Sequence, residues 1–219
     1  MREHPVRILY EDNHLVAAYK KPGQTVQPEP GKPESLEEQV KQYIKTTYDK
    51  PGDVFLGVIH RIDMPVSGIV LFAKTSKALA RMNEIFQKRE VSKIYEAEVE
   101  GHPEKQQELI THFLKRDEKK NYTKAFVSEA KDAYRSQLEY IVTERKKQSS
   151  ILRITLLTGR KHQIRAQLSA IGFPIVGDVK YGASKPLPDQ SIRLSAVELS
   201  FMHPVKKEPV VIRLSQHKY

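Results

Sequence analysis

The stretch HRIDMPVSG, residues 60–68, places the carboxylate of Asp63 between two apolar runs. FLGVI precedes the stretch and IVLFAK follows it, and both runs are typical of buried strands. Because an aspartate side chain readily hydrogen-bonds the backbone two residues further on, an ordinary turn residue is one interpretation of Asp63. A reactive carboxylate on a loop between two buried strands is the other.

The charge of the chain favours a polyanionic partner. Its 219 residues include 37 Lys and Arg against 27 Asp and Glu, which gives a net charge of +10 and a pI near 9.6. A surplus of this size indicates nucleic acid or anionic lipid as the partner. The apolar content of 39% is typical of a globular protein rather than a disordered one.

The sequence lacks signals for export or membrane insertion. No apolar run approaches the ~18 residues that a spanning helix needs. The N-terminal MREHPVRILYEDNH is too mixed for a signal peptide, and the absence of cysteine excludes disulfides and cysteine metal sites. We therefore expect a cytoplasmic protein that does not bind membranes.

Periodicity predicts an α+β fold in which a mixed, largely antiparallel sheet is flanked by helices. Three segments have apolar residues at helical spacing, and they begin at Ser35, at Ser76 and after Thr158–Gly159, the last ending at Gly172. Strand patterns occur in VRILYEDNHLVAAYK, in KIYEAEVEG, in residues 132–157 around the hairpin signal ERKKQSS, and in RLSAVELSFMHPVKKEPVVIRL. Because no repeat or linker interrupts the chain, we expect one domain over residues 1–219.

Positive charge is concentrated in two segments. Residues 145–165 contain no acid and these basic residues: Arg145, Lys146, Lys147, Arg153, Arg160, Lys161 and Arg165. Within them TGRKH, residues 158–162, lies where a helix should begin, and the free backbone N–H groups of a helix start attract phosphate. The second segment, residues 115–124, is diluted by two acids, and an ordinary solvated face explains it equally well.

Together these features suggest chemistry on a flipped nucleobase. Such chemistry within folded RNA requires that the base leave its stack and enter a pocket. The pocket needs a reactive group, an aromatic surface for the base and a cation that keeps the reactive group ionised. Asp63, Tyr95 on the apolar face of KIYEAEVEG, and Arg165 in the basic segment could supply these three groups. Periodicity places each on a suitable element but does not show that they meet.

Three motifs resemble those of the RluA/RsuA superfamily of pseudouridine synthases, and of its RluA branch in particular. HRIDMPVSGIVLFAKT resembles H-R-L-D-x-x-T-S-G-[LIV]-[LIV]-[LIV]-x-A-K, and KIYEAEVEG resembles K-x-Y-x-A-x-V-x-G. GRKHQIRAQLSAIGFPIVGDVKYG is similar to G-R-x-H-Q-I-R-x-H-L-x-x-x-G-x-P-I-x-G-D-x-x-Y-G. The opening ILYEDNHLVAAYKKPGQTV and the closing LSFMHPVKKEPV are also typical of the RluA branch, so the resemblance extends over nearly the whole chain.

The resemblance implies the pseudouridine synthase fold, with a central RNA-binding cleft, and assigns roles at the matching positions. Asp63 would be the catalytic aspartate and Arg165 would pair with it. Tyr95 would stack on the target uracil and take part in removing its C5 proton. Ile164 would pack on the other side of the base, and Arg61 would help to displace it, although a simple phosphate contact is the alternative for this arginine.

Further RNA contacts are expected at Arg160, Lys161 and His162, in the basic segment. Members of the superfamily often carry a small N-terminal RNA-binding domain. Here the matching pattern starts within ten residues of Met1, so we expect the catalytic domain alone.

Three positions depart from the family pattern: Ile62 replaces Leu, Val66 replaces Thr, and Gln167 replaces His. The loss of the Thr hydroxyl removes one polar contact near the site. It therefore bears on the positioning of the substrate more than on the chemistry.

The implied reaction is an isomerisation of uridine in structured RNA, either ribosomal or transfer RNA. The N1–C1′ bond breaks, the base turns, and a C5–C1′ bond forms, so that no cofactor, metal or small-molecule cosubstrate is expected. Asp63 could act as a nucleophile or as the base that takes the C2′ proton, and the sequence leaves both open. We expect RNA as the partner of a monomeric protein.

Three other functions compete with this interpretation. A glycosidase would need two carboxylates that flank the scissile bond. A metal-dependent nuclease would need clustered histidines, whereas the eight here are scattered and His60 is better explained as a structural hydrogen-bonder. The main alternative is a non-catalytic RNA-binding or ribosome-assembly protein that retains the fold.

Overall fold

The structure is a computed structural model, and it describes residues 6–214. In chain order its elements are β1 (Ile8–Glu11), β2 (Leu15–Lys20), α1 (Leu36–Thr47), β3 (Gly57–Val58), β4 (Ser67–Ala73), α2 (Ser76–Gln87), β5 (Val91–Glu100), β6 (Gln107–Asp117), β7 (Tyr122–Phe126), β8 (Tyr134–Arg145), β9 (Ser149–Leu156), α3 (Gln163–Ala170), β10 (Leu194–Met202) and β11 (Pro209–Arg213). A short 3-10 turn covers Val179–Tyr181. Among the helices of residues 6–214, none is both long and apolar enough to cross a membrane.

The fold class is α+β, as predicted, and the described chain divides into two compact units. The first unit comprises residues 6–91 and 196–214, and the second comprises Ser92–Ser195. Both units are built on antiparallel strand pairs, for example β2 with β4 in the first and β8 with β9 in the second.

In the first unit, both faces of the sheet are covered. The strand order is β1-β2-β4-β10, with β11 beside β10 and β3 beside β4. Alternate residues of β2 and β4 pack toward α2 on one face, together with Ala78 and Met82, and toward α1 on the other, together with Leu36 and Val40. Every residue of β4 is consequently buried. This double coverage explains why the sequence of β4 is a continuous apolar run rather than an alternating one.

The two helices of the first unit begin where the sequence predicts. Ser35 caps α1 in a reciprocal capping box: its Oγ accepts from the backbone N–H of Glu38, and the Glu38 side chain accepts from the backbone N–H of Ser35. At α2 the helix starts at Ser76, and the capping side chain is that of Thr75.

Gly68, at the start of β4, permits a close approach between two strands. Its φ is +124°, and a Cβ added there would lie 2.4 Å from the backbone oxygen of Ala196. Glycine tolerates both conditions because it has no Cβ. The glycine that ends HRIDMPVSG therefore lets β4 lie directly against the backbone of β10.

In the second unit the strand order is β5-β9-β8-β6-β7. Burial alternates along β5 as the sequence predicts, with Tyr95, Ala97 and Val99 buried and the intervening glutamates more exposed. The predicted hairpin is confirmed as β8 and β9. The charged residues 115–124 lie on a second hairpin, formed by β6 and β7, which the sequence analysis did not predict.

The third helix is shorter than the pattern indicates. It begins at Gln163, because His162 adopts a left-handed conformation with φ 55° immediately before it. It ends at Ala170, and Gly172 with φ +88° follows as the predicted stop. On the buried side of the helix, Ala166 packs against Leu114 of β6 and against Tyr181.

Candidate active site

The loop that carries Asp63 is fixed by donors from the end of β2. Lys20, the last residue of β2, is fully buried. Its Nζ donates to three carbonyl oxygens, those of Lys21, Gln24 and Met64, at 2.9, 2.8 and 2.9 Å. The backbone N–H of Gly23 donates to the same Met64 oxygen at 2.9 Å. Two donors therefore hold the residue that directly follows Asp63.

Lys20 also places a cationic group close to Asp63. Burial lowers the pKa of Lys20 to about 7, and the charge of Asp63 acts in the opposite direction by favouring the ammonium form. A neutral amine has only two N–H protons, so three carbonyl partners match the ammonium. Lys20 is therefore a buried cation whose charge interacts with the carboxylate of Asp63.

The turn after Asp63 is closed by the backbone. The N–H of Val66 donates to the carbonyl oxygen of Asp63 at 3.0 Å, and the side chain of Val66 is buried. Asp63 itself is half-buried at the entry to β4. The backbone hydrogen bond closes the turn, and both interpretations of the Asp63 carboxylate, an ordinary turn residue and a reactive group, stay predictions.

His60 and Arg61, which precede Asp63, have different surroundings. His60 Nε2 accepts from the backbone N–H of Leu71 at 3.1 Å, and its ring stacks on Phe86 with 5.3 Å between centroids. The prediction that His60 is a structural hydrogen-bonder is thus confirmed. Arg61 is exposed, and its Nη1 donates to Gln27 Oε1 at 3.2 Å.

In the second unit, Tyr95 lies on the buried face of β5. It pairs with Ile154 of β9 and is 9% exposed. Burial on the apolar face is what the alternation of KIYEAEVEG predicts. Stacking of its ring on a uracil stays a prediction.

Arg165 lies in α3 and is bound by a carboxylate that the sequence analysis did not consider. Its Nε donates to Asp178 Oδ2 at 2.7 Å, and its Nη2 donates to Asp178 Oδ1 at 2.8 Å. The Cζ of Arg165 lies 4.8 Å from the centroid of the Tyr181 ring. Ile164, the neighbouring residue, is also buried.

The segment before α3 differs from the predicted phosphate site. The side chain of Gln163 reaches back, and its Oε1 accepts from the backbone N–H of Arg160 at 3.0 Å and from Thr158 Oγ1 at 2.8 Å. The N–H of Arg160, expected to be free for an anion, is therefore already engaged. Phosphate binding by the remaining N–H groups of this segment stays a prediction.

His162 differs from its two basic neighbours. It is buried, and its Nδ1 lies 2.8 Å from the Tyr181 hydroxyl. Arg160 and Lys161 are exposed, and the guanidinium of Arg160 stacks over the ring of Tyr134 at 4.9 Å. Contact with RNA stays a prediction for these residues, and the exposed pair suits it better than the buried histidine.

The predicted residues are thus distributed over both units. Asp63 and Arg61 belong to the first unit, and Tyr95, Ile164 and Arg165 belong to the second. Pairing of Arg165 with Asp63 stays a prediction. Within residues 6–214, no three His, Cys, Asp or Glu side chains are grouped so that they could hold a metal ion.

Comparison with known proteins places the chain in a class. A sequence model of the family described as RNA pseudouridylate synthase matches residues 14–170. The chain belongs to the RNA pseudouridylate synthase family, as its three motifs predict. It is an isomerase that converts uridine in RNA to pseudouridine.

Individual relatives agree with this assignment. The chain is 32% identical to the dual-specificity RNA pseudouridine synthase RluA of Vibrio vulnificus, over 90% of this chain and 78% of the relative. It is 32% identical to the ribosomal large subunit pseudouridine synthase D of Zymomonas mobilis, over 94% and 68% of the two chains. The solved structure of human RNA pseudouridylate synthase domain containing 1 has the same fold, with a TM-score of 0.79 at 24% identity over 97% of this chain and 84% of that one.

Sequence reasoning missed Lys20 and Asp178. Lys20 ends a strand in which five of six residues are buried, and a lysine at such a position is a signal for a buried charge. Asp178 lies within the third motif, but its partner Arg165 is 13 residues away in sequence. No periodicity connects the two, so only the structure shows the pair.

Proposed function

We propose that this protein converts specific uridines of structured RNA, ribosomal or transfer, into pseudouridine in the cytoplasm, with Asp63 as the catalytic carboxylate. The setting of Asp63 carries the proposal. A buried ammonium, Lys20, donates to the carbonyl of the residue after Asp63 and lies close enough to interact with its charge. A carboxylate that served only to close a turn would need neither a buried ammonium bound to the next residue nor a positive charge nearby.

Tyr95 and Arg165 are the proposed partners of Asp63 in the reaction. The support is the match of their motifs to the family and the local setting of each residue. Tyr95 is an aromatic residue at 9% exposure on a rigid strand, and it is proposed to stack on the uracil and to take part in removing the C5 proton. Arg165 is a guanidinium in a fixed orientation, proposed to pair with Asp63.

The proposed substrate is RNA that is folded around the target uridine. The net charge of +10 and the exposed Arg160 and Lys161 favour binding to a phosphate backbone. The relatives bear names that refer to the large ribosomal subunit and to dual specificity for RNA. Ribosomal and transfer RNA are therefore the two substrates to be tested first.

Asp63 has two chemical roles open to it within this reaction. As a nucleophile, Asp63 would form a covalent bond to the sugar or the uracil, and this bond would break again later in the reaction. As a general base, Asp63 would instead take the C2′ proton of the sugar. Either route detaches the base from C1′ for a time. Water must be kept out during that time, because it would hydrolyse the glycosidic bond.

The experiment compares the wild-type protein with Asp63→Asn on total RNA purified from cells that lack the gene. Pseudouridines are mapped by carbodiimide labelling and primer extension, in ribosomal and transfer RNA separately. The asparagine keeps the size and the backbone hydrogen bond of Asp63 but removes its charge. We expect no pseudouridine from the variant and RNA binding within a few-fold of wild type, since phosphate contacts dominate binding.

Asp53→Asn, which changes an exposed carboxylate in the same unit, is the matched control and should keep wild-type turnover. Turnover by purified Asp63→Asn would contradict the catalytic role and restore the turn interpretation. RNA binding without any turnover by the wild-type protein would favour the non-catalytic alternative.

A further inference from the structure

Asp178 engages the guanidinium of Arg165 in a buried contact at two points. The two hydrogen bonds, Nε to Oδ2 and Nη2 to Oδ1, measure 2.7 and 2.8 Å. The side chains of Arg165 and Asp178 are 6% and 1% exposed. Because both carboxylate oxygens meet the planar fork, the contact fixes the rotation of the guanidinium as well as its distance.

The flat face of the Arg165 guanidinium is fixed as well, by the ring of Tyr181. That ring is itself held in place, since the backbone N–H of Thr123 donates to its hydroxyl at 2.9 Å and the ring of Tyr122 stacks on it at 4.6 Å. Burial raises the pKa of Tyr181 to about 12, so its hydroxyl keeps the proton that it can donate to His162 Nδ1 at 2.8 Å. The guanidinium of Arg165 is thus held at one edge by Asp178 and on one flat face by Tyr181.

The carboxylate that holds Arg165 comes from a rigid turn. The backbone N–H of Asp178 donates to Ile175 at 2.9 Å, and its carbonyl oxygen accepts from Tyr181 at 2.9 Å and from Ala183 at 3.1 Å. One short segment, residues 178–181, therefore supplies both the edge contact and the face contact.

Stability alone is a weak explanation for this pair. Removing two charges from water offsets most of their attraction, and well-packed apolar residues often serve a buried position equally well. A buried pair does, however, define a single geometry. That property is useful where a guanidinium must be presented to other groups in one orientation.

We infer that Asp178 is a positioning residue, whose carboxylate orients the guanidinium of Arg165 for pseudouridine formation. The inference rests on the proposed function, in which Arg165 acts with Asp63. Asp178 needs no contact with the RNA, and its effect reaches the reaction through Arg165.

The test measures single-turnover rates at saturating RNA, with total RNA from cells that lack the gene as the substrate. Asp178→Asn places an amide N–H₂ where Arg165 needs acceptors, and we expect the rate per folded molecule to fall by about 10- to 100-fold, as is usual for a misplaced catalytic group. The RNA dissociation constant should stay within about twofold, because phosphate contacts dominate it. Asp178→Glu keeps both acceptor oxygens and should recover part of the rate.

A double variant separates positioning from mere support of the fold. Asp178→Asn combined with Arg165→Met leaves no unpaired buried charge, and its rate should equal that of Arg165→Met alone, because the two residues act as one unit. This variant also keeps the test valid if Asp178→Asn fails to fold by itself. Asp189→Asn, an exposed carboxylate of the same unit, is the control and should leave the rate unchanged.

The outcomes distinguish the inference from the proposed function. If Arg165→Met loses turnover while Asp178→Asn keeps the wild-type rate per folded molecule, the positioning role is overturned and the proposed function stands. If the two losses multiply in the double variant, Asp178 acts independently of Arg165, and the inference also fails. If Arg165→Met keeps the wild-type rate, both the inference and the proposed role of Arg165 are overturned.

Discussion

Replacing Lys20 with Met should destabilise the protein at high pH by removing the donor that holds the Asp63 loop. Of the three acceptors, Met64 keeps the donation from Gly23 at 2.9 Å, and Lys21 keeps a long one from Gln24 at 3.4 Å. The carbonyl oxygen of Gln24 loses the donation from Lys20 at 2.8 Å. A carbonyl left without its partner in such a place costs about 1–3 kcal/mol.

The free energies of the three hydrogen bonds of Lys20 do not simply add up to a larger loss of stability in Lys20→Met. The fall of its pKa from 10.5 to about 7 corresponds to an unfavourable burial of the charge of ~5 kcal/mol. Methionine removes this cost together with the hydrogen bonds, and its flexible side chain fills the same space. A net loss of about 1–3 kcal/mol is therefore expected at high pH, where the cost of burying the charge has disappeared, and it lowers the melting temperature by about 2–12 °C in a protein of this size. Below pH 7 the relief of that cost offsets the lost hydrogen bond.

The pH dependence of the difference reports the charge of Lys20. Because the pKa of Lys20 is lower in the folded protein than in the unfolded chain, the unfolded chain binds more protons between the two values. Burial of the charge therefore costs stability fully below pH 7, and the cost disappears as the pH rises toward 10.5. Between about pH 6 and about pH 10, the wild type should gain roughly 4 kcal/mol relative to Lys20→Met.

Urea unfolding of both proteins at the two pH values measures the gain directly. Lys45→Met, at an exposed lysine of α1, is the matched control and should differ little from wild type at either pH. A difference between wild type and Lys20→Met that does not change with pH would refute the lowered pKa. No destabilisation by Lys20→Met at the higher pH would refute the role of Lys20 in holding the loop.

Three further substitutions test the site and its scaffold. Tyr95→Phe keeps the ring but loses the hydroxyl, so RNA should still bind while pseudouridine formation fails, and a wild-type single-turnover rate would contradict the role of the hydroxyl. If the Arg61 side chain fills the gap left by the flipped base, Arg61→Ala should reduce turnover more on a structured stem-loop than on a flexible strand with the same uridine. Equal losses on both substrates would indicate that Arg61 only contacts phosphate. Gly68→Ala should lower the free energy of unfolding by at least about 2 kcal/mol, because the new Cβ would lie 2.4 Å from the backbone oxygen of Ala196 at a φ of +124°. An unchanged urea midpoint would refute this prediction.

Local patterns predicted the elements whose structure depends on neighbouring residues in sequence. The capping box at Ser35 needs only Glu38, three residues on, and the alternation of β5 needs only the two faces of one strand. The apolar run of β4 was also predicted as a buried strand. In each of these cases the physical cause lies within a few residues, so the sequence contains it.

The errors arose where tertiary contacts or backbone conformation decide the outcome. FLGVI predicts a strand of five residues, but only Gly57–Val58 pairs with β4, and Phe55 is half exposed. The helix after Thr158 begins late because His162 adopts φ 55°, a left-handed conformation that only a few per cent of non-glycine residues adopt. The sequence analysis does not predict β6, because its alternating buried positions are Ile110, His112 and Leu114, and a histidine among them breaks the apolar pattern.

The site was predictable as a set of motifs and not as a set of contacts. The motifs point to Asp63, Tyr95 and Arg165 one by one, and their joint action stays a proposal. The groups that fix two of them come from elsewhere: Lys20 reaches the loop 44 residues away in sequence, and Asp178 reaches Arg165 across 13 residues. Such contacts depend on the folded path of the chain, which periodicity does not describe.

Two of the departures from the family pattern involve hydrogen bonds to the backbone. Val66 stands where the family has Thr, but its contribution to the loop is a backbone N–H, which donates to Asp63 at 3.0 Å and which any residue except proline supplies. Gln167 stands where the family has His, and it is fully buried, with its Nε2 3.3 Å from the carbonyl oxygen of Ser136 in β8. Val66 therefore supports the backbone of Asp63, and Gln167 links α3 to the backbone of β8. The change from Thr to Val leaves the closure of the Asp63 turn intact, so the doubt that it raised about positioning concerns the substrate and not the carboxylate.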